Sequence, residues 1–198
     1  MKFVLIGNAC TGKSSLAWRY KFDEFRDYLV STIGVDVQTK KYQLFNDTVN
    51  VLLWDTAGQE KFKSLCPAFY RDSVGIFLCF DFTDRQSYED ISKWMELMLP
   101  YLPKYVNINL IGLKSELKEQ YEVSELEAIA FARKHCMDFY PVSAKTGENV
   151  EKIFLNNVEK IFADYKGKKF IPEERLGGFR IQKESKNDRY KYNCFWNW

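Results

Sequence analysis

Histidine is almost missing from these 198 residues; it occurs once, as His135. A lone imidazole that closes a helical pattern suits a helix C-terminus, where it meets the last carbonyls, better than it suits catalysis. Cysteine is sparse and irregular: Cys10, Cys66, Cys79, Cys136 and Cys194 are odd in number and lack metal-ligand spacing. They read as free thiols in a reducing compartment, so a cytoplasmic location is expected. No apolar run is long enough to span a bilayer, and no signal-peptide pattern precedes the first strand-like segment, Phe3-Val4-Leu5-Ile6. Net charge is only +2, which argues against an extended nucleic-acid surface. Hydrophobic residues, by contrast, make up 46% of the chain, which excludes a disordered protein and allows a sizeable core. The charge is unevenly spread. From Gly167 onward eight Lys/Arg stand against four Asp/Glu, a surplus of +4 that leaves the preceding residues at −2.

Apolar runs at 2–6, 49–54, 74–80, 106–111 and 139–142 predict buried strands, and 35–45 a longer, more polar one. Asn46-Asp47 signals a hairpin between the polar strand and the next. Helical patterns fall between strands, over 13–20, 87–99, 124–134 and 148–165. Ser87 with Asp90, and Ser124 with Glu127, resemble capping boxes that open two of them. Strands alternating with helices predict a doubly wound α/β sheet with its ligand at the carboxyl ends of the strands. One domain over 1–166 is expected, followed by a basic, aromatic extension over 167–198 in which periodicity fades.

Gly7-Asn8-Ala9-Cys10-Thr11-Gly12-Lys13-Ser14 fits G-x-x-x-x-G-K-[ST], with a strand before it and a helix after. Glycines let the backbone wrap a phosphate closely, and consecutive N–H groups at a helix start supply positive potential. Lys13 then neutralises β- and γ-phosphate oxygens, and the Ser14 hydroxyl ligates Mg²⁺, with Ser15 beside it. An ordinary glycine-containing strand–helix turn is the competing reading, and the flanking elements weigh against it.

Further motifs stand in order along the chain. They are Ser31-Thr32-Ile33-Gly34-Val35-Asp36, Trp54-Asp55-Thr56-Ala57-Gly58-Gln59-Glu60, Lys61-Phe62-Lys63-Ser64-Leu65, Phe69-Tyr70-Arg71-Asp72-Ser73 and Ser143-Ala144-Lys145-Thr146-Gly147-Glu148-Asn149-Val150. Over roughly residues 2–165 the chain resembles the small GTPases of the Ras superfamily, most of all the Rab branch. The resemblance implies a P-loop NTPase G domain: a mostly parallel six-stranded sheet with one antiparallel edge hairpin and helices on both faces. It implies GTP or GDP with Mg²⁺ as ligands and slow GTP hydrolysis. By the same resemblance Thr32 closes over the nucleotide with its hydroxyl on Mg²⁺, and Asp55 holds the metal through water. Gly58 donates its N–H to the γ-phosphate, and Gln59 orients the attacking water, which its amide can both accept from and donate beside. Lys13, Thr32, Gly58 and Gln59 are therefore the expected catalytic set.

The resemblance breaks at base recognition. Relatives carry N-K-x-D after the fifth strand, whereas this chain has Leu113-Lys114-Ser115-Glu116. Glu116 keeps the carboxylate that accepts from guanine, on a longer arm. Leu113 cannot make the hydrogen bonds by which Asn ties this loop to the phosphate loop. The aliphatic stem of Lys114 can still pack along the base. The resemblance lets Ser143, Ala144 and Lys145 complete the base site, with the Ala144 N–H offered to the guanine carbonyl. Phe25 resembles the aromatic that covers the base, although a core phenylalanine is the other reading. Guanine preference is expected to persist, weakened.

Val37, Trp54 and Phe69 match the apolar triad by which Rab effectors read the switch face, with Ile33, Gly34, Val35 and Asp36 beside them. Val37 stands where Phe is usual, so the face is shallower. Trp54 also reads as a half-buried strand residue, and both readings can hold. Exchange factors and GTPase-activating proteins are implied at the same switch segments. The chain ends Asn193-Cys194-Phe195-Trp196-Asn197-Trp198, which is neither C-a-a-X nor a terminal cysteine pair. Lys183, Lys186, Arg189 and Lys191 alternate there with Tyr190, Tyr192 and the final aromatics, a mix suited to an anionic membrane or to docking on protein. The leading reading is a GTP-hydrolysing switch in vesicle traffic. The alternative, raised by Leu113 and Glu116, is a nucleotide-binding scaffold with little hydrolysis or relaxed base choice.

Overall fold

The computed structural model describes residues 1–58, 66–167, 172–175 and 178–181, without the side chains of 66–67 and of the last two stretches. Six strands form one sheet: β1 (Lys2–Ile6), β2 (Val35–Leu44), β3 (Asp47–Thr56), β4 (Gly75–Asp81), β5 (Asn107–Leu113) and β6 (Asp138–Val142). Their order is β2-β3-β1-β4-β5-β6, parallel throughout except for the β2/β3 hairpin at one edge. The helices are α1 (Lys13–Phe22), α2 (Cys66–Tyr70), α3 (Arg85–Glu89), α4 (Ile91–Met98), α5 (Glu125–Lys134) and α6 (Val150–Lys166). This is the G-domain architecture that the motifs implied.

Side chains on successive strand residues point to opposite faces, and two apolar cores result. Phe3, Leu5, Phe77 and Cys79 meet Leu16 and Tyr20 of α1 and Phe154 and Val158 of α6. Val4, Ile6, Ile76 and Leu78 meet Ile91, Trp94 and Met95 of α4 and Ala128 of α5. Every residue of β4 is buried, which is why its sequence runs apolar without alternation. Three asparagines interrupt the first core. Asn157 of α6 accepts from the side chains of Asn107 (2.5 Å) and Asn109 (2.9 Å) and donates to Ile153 O (2.7 Å).

The helical pattern over 87–99 resolves differently from its reading as one helix opened by Ser87. Asp84 is the cap, its carboxylate accepting from the Ser87 N–H at 3.2 Å, and the helix breaks at Asp90 into α3 and α4. Ser87 is buried inside α3 with its hydroxyl on Asp84 O, so its three-residue spacing to Asp90 marks no helix start. Ser124 does cap α5, accepting from Glu127 N–H at 3.2 Å. The short α2 had no expected counterpart. Beyond α6, residues Pro172–Arg175 (β7) and Gly178–Ile181 (β8) pair as an antiparallel hairpin in a stretch where fading periodicity signalled no element. Cys10 and Cys79 are free, whereas Cys136 is disulfide-bonded, so the free-thiol reading does not hold for Cys136.

Candidate nucleotide site

Four segments converge where the parallel strands end. The loop after β1 turns at Gly7 (φ 148°), whose absent Cβ would lie 2.1 Å from Cys79 O. A side chain there would drive the loop off β4. The loop enters α1 at Lys13, so the N–H groups of the first helical turn face the turn itself. A cleft of about 330 Å³ lies between this loop and residues 27–32, walled by Ala9, Cys10, Gly12, Lys13, Ser14, Ser15, Thr32, Thr56 and Gly58 among others.

The cleft is polar and internally wired. Lys13 is buried, and its ammonium donates to Asn8 O at 2.5 Å. Burial pushes its pKa below the ordinary lysine value, with nearby thiols and Asp55 opposing the shift. Ser14 Oγ and Thr32 Oγ1 lie 2.7 Å apart, and Thr32 Oγ1 donates to Asp55 Oδ2 at 3.1 Å. Asp55 is buried at the end of β3, and its Oδ1 has no hydrogen-bond partner among the described residues. Burial pushes its carboxyl pKa up; Ser14, Lys13 and Thr32 pull the other way. A half-satisfied carboxylate beside two hydroxyls and a desolvated ammonium can receive a polyanion and a hard cation together.

Gly58 follows β3 and packs directly on the phosphate loop. A Cβ on it would fall 2.4 Å from Ala9 N and from the Asn8 carbonyl carbon, so any side chain would separate the two segments. Gly34 O accepts from Ala57 N–H at 2.9 Å, which ties the segment after Thr32 to the same strand end. Gln59 lies outside the described residues. Asn8 is held from behind by a pair that sequence reading missed: its amide donates to Asp90 Oδ2 (2.8 Å) and its Oδ1 accepts from Trp94 Nε1 (2.7 Å).

The expected base-recognition residues gather at the ends of β5 and β6, away from the walls of that cleft. Leu113 is buried and does face the phosphate loop, its Cδ1 3.8 Å from where a Cβ on Gly12 would sit. Lys114 takes a left-handed conformation (φ 59°) and forms an ion pair with Asp81. Glu116 Oε2 and Ser115 Oγ are buried without partners among the described residues, so the longer acid arm retains an open acceptor. Ser115 N–H donates to Val142 O at 3.2 Å, joining the two base segments. Ser143 Oγ accepts from Thr146 N–H at 3.0 Å, and Gly147 N–H donates to Ser143 O at 2.9 Å, forming a closed loop. Phe25 is half-buried and is not a wall of the cleft.

Arg19 on α1 was also missed by sequence reading. Its Nε donates to Ala144 O, Nη2 to Lys145 O and Nη1 to Asp23 O, each at 2.7 Å. Two of these partners lie 125 and 126 residues away in the chain, beyond any local signal.

Val37, Trp54 and Phe69 lie side by side. Val37 pairs with Trp54 across the hairpin, and the Trp54 and Phe69 rings lie 6.4 Å apart. Lys2 Nζ sits 3.7 Å over the Trp54 ring from behind. Ile33 is 85% exposed and Val37 41%, and Asp36 is exposed between them, so this face is open to a partner.

The Ras family model matches residues 2–163. Ras-related protein Rab-11B of Dictyostelium discoideum is 41% identical over 155 residues, 78% of this chain and 70% of that protein. Ras-related protein Rab-4 of the same organism is 39% identical over 155 residues, 78% of this chain and 76% of its own length. Ras-related protein Rab-4A of Danio rerio is 36% identical over 179 residues, 90% of this chain and 84% of its own.

Proposed function

The chain belongs to the Ras family as a Rab-like small GTPase, a membrane-traffic switch that binds and hydrolyses GTP, and we propose that the cleft beside Lys13 performs both steps. The observation that carries this placement is the Ser14–Thr32–Asp55 chain of oxygens running beside the buried ammonium of Lys13. The N–H groups of residues 8–15 cradle the β-phosphate, and Lys13 leaves Asn8 O for the β- and γ-phosphate oxygens. That exchange replaces a neutral carbonyl by two anionic acceptors and relieves the desolvation of the ammonium.

The residues present fit Mg²⁺. Asp55 Oδ1 is buried and unpartnered among the described residues, and the Ser14 and Thr32 hydroxyls stand beside it, so three hard oxygens are available. When bound there, the cation neutralises charge on the phosphate oxygens. Thr32 and Gly58 approach from opposite sides of the γ-phosphate, Thr32 by its N–H and Gly58 by its own. Gln59 orients a water in line with the β–γ bond. The water oxygen attacks the γ-phosphorus, the bond to the bridging oxygen breaks toward GDP, and the proton leaves with inorganic phosphate. Unassisted turnover is on the order of 10⁻⁴ to 10⁻³ per second, because positioning does most of the work and a partner must complete it.

Loss of the γ-phosphate releases Thr32 and Gly58, and through Ala57 N–H on Gly34 O it loosens the exposed face around Val37, Trp54 and Phe69. Effectors, exchange factors and GTPase-activating proteins meet the chain at these switch segments. Residues 1–166 form the GTPase domain, and 167–198 a basic, aromatic extension that contacts anionic membranes weakly.

Replacing Lys13 by Ala tests the placement. The variant should lose GDP and GTP binding in a filter or fluorescence titration, since uncompensated phosphate charge would face a site without its main cation. Near-normal GDP affinity in Lys13→Ala would sink the assignment of this cleft.

A further inference from the structure

Base recognition in this chain lacks one polar tie at Leu113, while a different one reaches its late loop from α1. Leu113 faces the phosphate loop, its Cδ1 3.8 Å from where a Cβ on Gly12 would sit, and its side chain has no polar atom to hold the base segments to the phosphate side. The loop 143–145 is held instead from α1. Three of the five N–H donors of Arg19 end on backbone carbonyls at 2.7 Å, two of them Ala144 O and Lys145 O. Because each peptide is planar, fixing these carbonyls fixes the planes that carry the N–H groups of Lys145 and Thr146. It also fixes the Cα of Ala144, whose own N–H faces the base in the reading above. The side chain of Arg19 is only 14% exposed, and α1 begins at Lys13, one and a half turns earlier on the same rigid helix.

We propose that Arg19 is a positioning residue for guanine selection, linking the 143–145 loop to the phosphate-binding helix in place of the tie that Leu113 cannot make. The proposal rests on the assignment of Ala144 and Glu116 to the base site. The planar guanidinium matters as much as its charge. A lysine ammonium in the same place is a single point that cannot reach three diverging carbonyls at once. Lysine therefore keeps the charge and the aliphatic packing while losing the geometry.

The test compares wild type, Arg19→Lys, Leu113→Asn and the double variant. Three readouts are taken: release of fluorescent GDP by stopped flow, the affinity ratio of GDP to ADP and to IDP, and the thermal midpoint. Arg19→Lys should speed GDP release roughly tenfold and lower the GDP preference by a similar factor, the effect of removing one or two hydrogen bonds to a buried loop. Adding Leu113→Asn should restore preference in the Arg19→Lys background by more than it raises it in wild type, because the two ties do the same work. A purely structural role would lower the thermal midpoint without changing the GDP-to-ADP ratio, and that result overturns the proposal. Independent, additive effects of the two substitutions overturn it as well. A wild-type protein that binds GDP and ADP equally would instead overturn the base-site assignment itself, which Arg19→Lys alone cannot do.

Discussion

In the proposed base site, Leu113 and Glu116 are the side chains expected to set how tightly this switch holds its nucleotide. Leu113 is buried facing Gly12 and its side chain donates nothing, while Glu116 keeps a buried oxygen, unpartnered among the described residues, at the end of an arm one methylene longer than aspartate. Each lost or distorted contact of this kind is worth about 1–3 kcal/mol, which corresponds to roughly ten- to a hundredfold in affinity. Leu113→Asn with Glu116→Asp should therefore slow GDP release at least tenfold and sharpen rejection of hypoxanthine and adenine nucleotides. Stopped-flow release of a fluorescent GDP measures this, and unchanged rates would mean that the base loop draws its affinity from elsewhere. Both departures were readable in the sequence, because a motif with fixed spacing exposes a wrong residue. Arg19 was not readable, since nothing near it in sequence distinguishes a latch from a solvated arginine on a helix.

At the scale of elements, the break between α3 and α4 bears on the phosphate loop. Asp90 sits at that break and accepts from the Asn8 side chain, and Trp94, one turn into α4, donates to the other end of the same amide. Asn8 O is also the acceptor for Lys13 and for the Thr11 hydroxyl (3.0 Å). The loop is thus braced against a helix that contributes no wall to the cleft beside Lys13. Trp94→Phe keeps an aromatic ring in the second core and deletes the indole donor. We expect GDP release to quicken about fivefold, from the loss of about 1 kcal/mol, with a small fall in thermal midpoint. Release unchanged from wild type would show that the brace does not reach the nucleotide. The helical period over 87–99 was legible, and the break was not. Reading Ser87 as a cap failed because Asp84 caps the helix three residues earlier through the Ser87 N–H, Asp90 N–H is already bonded to Gln86 O, and burial turned the Ser87 hydroxyl inward onto Asp84 O.

For the whole molecule, the open question of attachment falls to the residues after α6. No described helix is long and apolar enough to cross a membrane. Lysine and arginine near an anionic surface contribute about 1 kcal/mol each, screened by salt, and in the proposed contact Phe195, Trp196 and Trp198 would add interfacial burial. Unmodified protein should therefore co-sediment with anionic but not neutral liposomes, lose that binding as salt rises, and lose it wholly when truncated after Gly167. Equal binding by the truncated form, or none by the full chain, would leave the extension as a surface for protein partners.

What the sequence determined by itself is the part of this protein written in local runs and fixed spacings. The alternation of apolar strands with helices sets the sheet, because a buried strand and an amphipathic helix each need only their own period. The phosphate loop is equally local: glycines, Lys13 and Ser14 lie within eight residues and act through the backbone between them. Tertiary structure alone decided the pairings across long separations. The Ser14–Thr32–Asp55 chain, the hold of α4 on Asn8 and the reach of Arg19 to residues 144 and 145 join segments 18 to 126 residues apart. The reason is physical. A hydrogen bond depends on atoms placed within a few tenths of an ångström, and only the packing of helices on both faces of one sheet brings those distant atoms to that distance.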